Sequence, residues 1–197
     1  WIATLLQGGQ DAPFPLQRRV LAAGPADIAP HKGWTITFDA SPWGGGAVLL
    51  AAPVPRFWAE WTWTISDVEK ATSQDNGKVK YAIGASDGQT YWELLTAALA
   101  ICTWDDWFQN ESVLVMGDNT GALQSLLDLK GHGSLVHIAR EIAWRKECRR
   151  WQLRVGHLPK EQNILADAVS RLSTGECSLP AALAKCVRSE PVPTKEF

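Results

Sequence analysis

WTITFDASPWGGGAVLLAAPVPRFWAEWTWTI, residues 34–65, holds three β-rich runs in succession. The first, WTITFDA, ends on Asp39, SPWGG supplies a turn, and GAVLLA returns as the second strand of a hairpin. In RFWAEWTWTI, residues Phe57, Ala59, Trp61, Trp63 and Ile65 alternate with a mostly polar set, which is the period of a half-buried strand. Trp58, Trp61 and Trp63 read as packing residues rather than as platforms for stacked bases. Three antiparallel strands therefore open the fold.

The chain beyond this stretch changes character. Residues 66–89, with Asn76-Gly77, Gly84 and Asp87-Gly88, predict a long polar loop. TYWELLTAALAICTWDDWF then carries helical spacing, with Thr90 and Glu93 placed to form a capping box. SVLVMGD is a short buried strand closed by Asp118. NTGALQSLLDL is a helix broken by Gly131–Gly133, and SLVHIAREIAWRKECRR resumes with Leu135, Ile138 and Ile142 on one face. WQLRVGH is a last strand and NILADAVSRL a last helix. The order predicts an α/β domain over residues 34–173. Its five-stranded mixed sheet, three antiparallel strands and then two parallel ones, carries helices on both faces. Residues 1–33, broken by Pro13, Pro15, Pro25 and Pro30, read as a tether from a preceding domain. Residues 174–197 read as a tail with at most one short helix near 181–187.

Composition sets outer limits. With 46% hydrophobic and 20% charged residues, the 197-residue chain is of ordinary globular type. No apolar run reaches about 18 residues and no signal peptide is legible, so an intracellular protein, cytoplasmic or nuclear, with no membrane partner is expected. The start at Trp1 points to a piece of something longer. The four cysteines form no CxxC pair and read as reduced thiols, and without one His132 and His137 read as loop and helix-face residues rather than zinc ligands. A net charge of −2 means that any grip on nucleic acid comes from a local patch.

The acids carry the chemistry. Asp39 ends the first strand, Glu93 lies in the first predicted helix, Asp118 follows the fourth strand, and Asp167 lies in the last helix. If strands one and four are neighbours, Asp39 and Asp118 meet at the crevice where open α/β sheets bind ligands. Glu93 shares its helix face with Ala97 and Ala100, so that face can approach the sheet closely. Gathered carboxylates repel one another unless a cation neutralises them, and hard oxygen donors select Mg²⁺ or Mn²⁺. Arg145 with Arg149, and Lys146 with Arg150, form i, i+4 rows at a helix end, open either to phosphate contact or to complementing the helix dipole. Asn163 reads first as the cap of the last helix. Glu93 remains open to a second reading, as the capping partner of Thr90.

TFDAS, YWELLTAALA, VMGDN and HLPKEQNILADAVSRL resemble the four signatures of ribonuclease H over about residues 34–173. The ADAVSR segment is most similar to the ribonuclease H domains of retrotransposon-type reverse transcriptases. The resemblance implies a ribonuclease H-like fold in which Asp39, Glu93, Asp118 and Asp167 hold two Mg²⁺ ions, with Mn²⁺ able to substitute. It implies an endonuclease that hydrolyses the RNA strand of RNA–DNA hybrids by a two-metal mechanism, leaving 5′-phosphate and 3′-hydroxyl ends. His157, on a mobile loop, would assist proton movement or product release. Ser41, Asn119, Asn163, Arg145 and Arg149 are the candidate substrate contacts, and the partners are the hybrid and a covalently attached reverse transcriptase domain. Two departures from the family pattern stand out: Gly117 precedes Asp118 where a hydroxyl residue is common, and the Gly131–Gly133 break replaces a basic extension between helices. The second predicts weak activity for the isolated domain. A non-catalytic scaffold of the same fold, or a transposase- or integrase-like DNA nuclease, stays open as an alternative.

Overall fold

The computed structural model describes residues 21–22, 33–75, 79 and 81–194. Strands β2 (Trp34–Ser41), β3 (Gly44–Ala51) and β4 (Val54–Thr62) form an antiparallel meander. The first hairpin pairs without a break from Trp34 opposite Ala51 to Ser41 opposite Gly44. Its turn is therefore only Pro42-Trp43, and the glycines expected in the turn lie inside β3. Strand β5 (Ser112–Gly117) runs parallel beside β2, and β6 (Gln152–His157) parallel beside β5. These are the five expected strands of the mixed sheet. Two-residue strands, β1 (Leu21–Ala22) on β6 and β7 (Val187–Arg188) on β4, extend it to the order β1-β6-β5-β2-β3-β4-β7. Apart from β1 and Gly33, the expected tether over 1–33 lies outside the described residues.

Both faces of the sheet are covered by helices, as expected for the mixed sheet. On one face lies helix α2 (Gln89–Trp104), buried almost all round because α3 (Thr120–Asp128) and α4 (Leu135–Arg149) pack outside it. Its Leu95, Ala98 and Leu99 join Ile36, Phe38, Ala47 and Leu49 of the sheet in the main core. On the other face, α5 (Ile164–Ser170) sets Val169 against Val48, Trp58 and Leu183. This second layer is why Trp58 is buried although it points away from Trp61 and Trp63.

The predicted loop over 66–89 begins instead as helix α1 (Ile65–Gln74). Thr64 Oγ1 accepts from the Asp67 backbone N–H and the Asp67 carboxylate accepts from the Thr64 N–H, a complete capping box. Ile65 is the first residue of this helix and is 71% exposed, so it is not an inward strand position. Asn76-Gly77 lies outside the described residues.

The segment expected as a tail packs against the sheet as far as it is described. A short 3-10 turn over Ala181–Leu183, in place of a helix to residue 187, buries Leu183 completely. Trp61 Nε1 donates to the Val192 carbonyl at 3.0 Å, Trp104 Nε1 to Ser189 Oγ at 2.9 Å, and the Ser189 N–H to the Trp58 carbonyl at 2.8 Å. Indole N–H groups buried under this segment would otherwise lose their hydrogen bonds, which explains how a proline-containing stretch becomes ordered there. Among the described residues no helix is long and apolar enough to cross a membrane.

Candidate metal centre

Strand register brings the acids together. Because Thr37 pairs with Met116 in parallel, the ends of β2 and β5 leave the sheet side by side, carrying Asp39 and Asp118. Glu93 arrives from the second turn of α2. Each of the three offers a carboxylate oxygen, and these oxygens lie within 4.8 Å of one another. Asp167 of α5 lines the same cleft, with Gln89, Asn119, Lys160 and Arg171.

Two adjacent glycines of β3 allow this approach. A Cβ on Gly45 would sit 2.4 Å from Thr96 Oγ1 of α2, and one on Gly46 would sit 2.3 Å from the Ser170 backbone nitrogen of α5. A side chain at Gly46 would push the α5 backbone off its face of the sheet, and one at Gly45 would displace the Thr96 side chain of α2. Gly46 is the register partner of Asp39, so α5 touches down beside the acid, and Ser170 Oγ donates to Asp39 Oδ2 at 2.8 Å. Gly117 follows the same rule. A Cβ there would lie 2.6 Å from the Phe38 ring, which accounts for the missing hydroxyl residue before Asp118.

Burial makes the cluster costly. Glu93 is 2% exposed, and burial followed by the neighbouring Asp39 charge pushes its carboxyl up to about 9; Gln89, Asp118 and the Ala40 N–H act more weakly. Burial likewise raises Asp39 to about 6, opposed by the Ser170 hydroxyl and reinforced by Asp167 and Asp118. Gln89 Nε2 donates to Glu93 Oε1 at 3.1 Å, whereas Glu93 Oε2 is buried without a hydrogen-bond partner. An orphaned, buried acceptor facing two further carboxylates is the donor set of a hard divalent cation, so these residues fit the ion implied by the chemistry.

The structure sorts the other predicted residues. Asp167 stands apart from the tight cluster, because its Oδ1 is 3.1 Å from both Nε and Nη2 of Arg171. His157 ends β6 opposite Gly117 and is exposed, and it is not among the residues lining the cleft. Asn119 lines the cleft and caps α3, its Oδ1 accepting from the Ala122 N–H at 3.0 Å. Asn163 sits at the cap position of α5, but its side chain does not cap. Instead Nδ2 donates to the Phe38 carbonyl at 2.8 Å, pinning the last helix to the strand one residue before Asp39.

Three expectations need correction. The Thr90–Glu93 capping box is absent: the N-cap is Gly88, at φ 78° and two residues before Thr90, and Thr90 Oγ1 faces Asn119 Oδ1 at 3.5 Å. Ser41 cannot touch substrate, since it is fully buried and its hydroxyl donates to the Ser170 carbonyl and accepts from the Gly44 N–H to close the hairpin. Arg145 and Arg149 lie toward the opposite end of the sheet. Arg145 pairs with Asp105 and Glu141, Arg149 with Asp105 and Asp106, and both precede the start of β6, whose far end reaches the cleft. Sequence reasoning missed Gln89, Lys160 and Arg171 in the cleft. The spacing of Gln89 and Glu93 by four residues on one helix was the available signal for the first.

No family model and no curated protein matches the chain. Among solved structures it is similar to ribonuclease H1 from the halophilic archaeon Halobacterium salinarum NRC-1, at 15% identity over 73% of this chain and 98% of that one, with a TM-score of 0.45. It is similar to LC11 ribonuclease H1, isolated from compost by a metagenomic approach, at 16% identity over 71% and 93% of the two chains, with a TM-score of 0.44. It is also similar to the prototype foamy virus protease-reverse transcriptase, at 14% identity over 68% of this chain and 16% of that one, with a TM-score of 0.39.

Proposed function

We propose that the chain is the ribonuclease H domain of a retroelement reverse transcriptase, a metal-dependent endonuclease that cuts the RNA strand of RNA–DNA hybrids. The observation that carries this reading is the convergence of Asp39, Glu93 and Asp118 within 4.8 Å, with Glu93 Oε2 buried and unpartnered. The four sequence signatures that supply these residues point to the substrate class.

Two Mg²⁺ ions, when bound, would supply activation of the attacking water and stabilisation of the leaving 3′ oxygen. Asp39, Glu93 and Asp118 would hold the first ion and Asp167 would contribute to the second, with Mn²⁺ able to replace Mg²⁺. Ser170 and Gln89 orient two of these carboxylates through the hydrogen bonds described. His157, exposed at the end of β6, would accept or deliver a proton as the strand leaves. Lys160, which lines the cleft, would face the phosphates. A covalently attached polymerase would supply much of the grip on the hybrid, in an intracellular setting.

Cleavage of a labelled RNA–DNA hybrid, duplex DNA and duplex RNA, each with Mg²⁺ or Mn²⁺, tests the proposal. Hybrid-selective cutting that Asp118→Asn abolishes is the expected result. Preference for duplex DNA would favour a transposase-like nuclease, and absence of any carboxylate-dependent Mn²⁺ binding would favour a scaffold.

A further inference from the structure

Asp167 and Arg171 face each other across one turn of chain at the end of α5, and both line the metal cleft. Two guanidinium nitrogens converge on a single oxygen, Asp167 Oδ1, each at 3.1 Å. On its other side the same guanidinium lies 3.8 Å from Glu176 Oε2 through Nη1. The side chains of Arg171 and Asp167 are 29% and 31% exposed, so water screens the pair and it is breakable. Among the described residues Asp39 receives a hydroxyl and Glu93 an amide, while Asp167 makes a direct ion pair with Arg171, whose charge reaches Asp39 more weakly.

We propose that Arg171 is a latch on Asp167, holding it from the second metal position until an ion displaces the guanidinium toward Glu176. This rests on the metal-centre reading above. It makes the two ions unequal: the first binds to Asp39, Glu93 and Asp118 without disturbing any ion pair, and the second must break one. Arg171 is thus a positioning residue with two acidic partners, Asp167 in the metal-free state and Glu176 once displaced.

The two partners give the latch a signature that a purely structural ion pair lacks, because substitutions on its two sides act in opposite directions. Calorimetric titration of the whole chain with Mn²⁺ alone, without substrate, reads it. The wild type should show an Asp39-dependent event and a weaker, Asp167-dependent one. Arg171→Ala should tighten the weaker event by roughly fivefold, and Glu176→Gln should weaken it by about twofold, the scale of partly exposed ion pairs. Thermal melts confirm that each variant is folded, and Arg171→Gln replaces the alanine variant if that one melts early. A second event that is unchanged or weaker without Arg171 overturns the latch while leaving the metal centre standing. If Asp39→Asn leaves Mn²⁺ binding untouched, the metal centre itself fails and the latch with it.

Discussion

Helix α2 has a buried acid toward each end, and the fold treats the two in opposite ways. At its C-terminal end Asp105 meets Arg145 Nη1 at 3.1 Å and Arg149 Nε at 3.6 Å. Near its N-terminal end Glu93 meets an amide and a backbone N–H, while its nearest charged neighbours are two more carboxylates. A buried charge paired with an opposite charge belongs to the scaffold, because removing either partner strands the other. A buried charge facing like charges gains nothing in the folded chain alone, and marks a place where something outside the chain is expected.

The largest expected effect comes from exchanging an acid at each end. Asp118→Asn should lower the rate of hybrid cleavage by about 10³-fold or more, since a metal ligand supplies several kcal/mol to the transition state at about 1.4 kcal/mol per decade. Asp105→Asn should leave cleavage per folded molecule unchanged. Equal losses in single-turnover assays would erase the distinction between the two ends.

The second effect is thermal. Asp39 and Glu93 have folded-state values, about 6 and about 9, above their ordinary ones, so the folded chain binds these protons more tightly than the unfolded chain. Their favourable contribution is complete below about pH 4 and is lost as pH rises toward 9. The metal-free protein should therefore melt at progressively lower temperature from pH 5 to pH 9. Glu93→Gln should flatten that slope and raise the melting point at pH 8 by several degrees, at roughly 2–4 °C per kcal/mol for a domain of this size. Calorimetry in chelator that finds the same slope in both proteins would contradict the account of Glu93.

Smaller effects belong to the paired end. Arg145→Ala leaves Asp105 buried with a weaker partner and should cost about 1–3 kcal/mol in urea denaturation, with cleavage unaltered. Arg149→Ala should cost under about 1 kcal/mol, because that side chain is more exposed and its closer partner, Asp106, is largely in solvent. A loss for Arg149 exceeding that for Arg145 would show that the pairing hierarchy read from burial is inverted.

The contrast also explains what the sequence reveals. Asp39 and Asp118 are legible because each falls at a strand end set by local periodicity, Glu93 and Asp167 because each lies within a helix that the periodicity predicts, and periodicity survives folding. Arg145 and Arg149 look like a phosphate-binding row because the acids that occupy them, Asp105 and Asp106, lie some forty residues away and meet them only in the folded chain. Helix α1 is polar enough to pass for a loop; it buries only Asp67 and Ala71, and its visible signal is the Thr64–Asp67 cap. Ser41 resembles a site residue by position, yet its hydroxyl is consumed by Ser170, a partner 129 residues away. The order of strands was readable. The packing of residues 174–194 was not, because their contacts reside in single side chains such as Leu183 rather than in any repeating pattern.

That C-terminal packing bears on how the molecule behaves in company. Without residues past 173, β4 would present its outer row of backbone donors and acceptors, together with Trp58 and Trp61, as an open sheet edge. Open edges of this kind recruit strands from other molecules. The short stretch around Val187 and Arg188, with the arginine lying over the Trp58 ring and paired with Glu60, occupies the place a neighbouring copy would otherwise take. Two residues of backbone pairing thus cap the outer edge of β4 at Phe57 and Trp58.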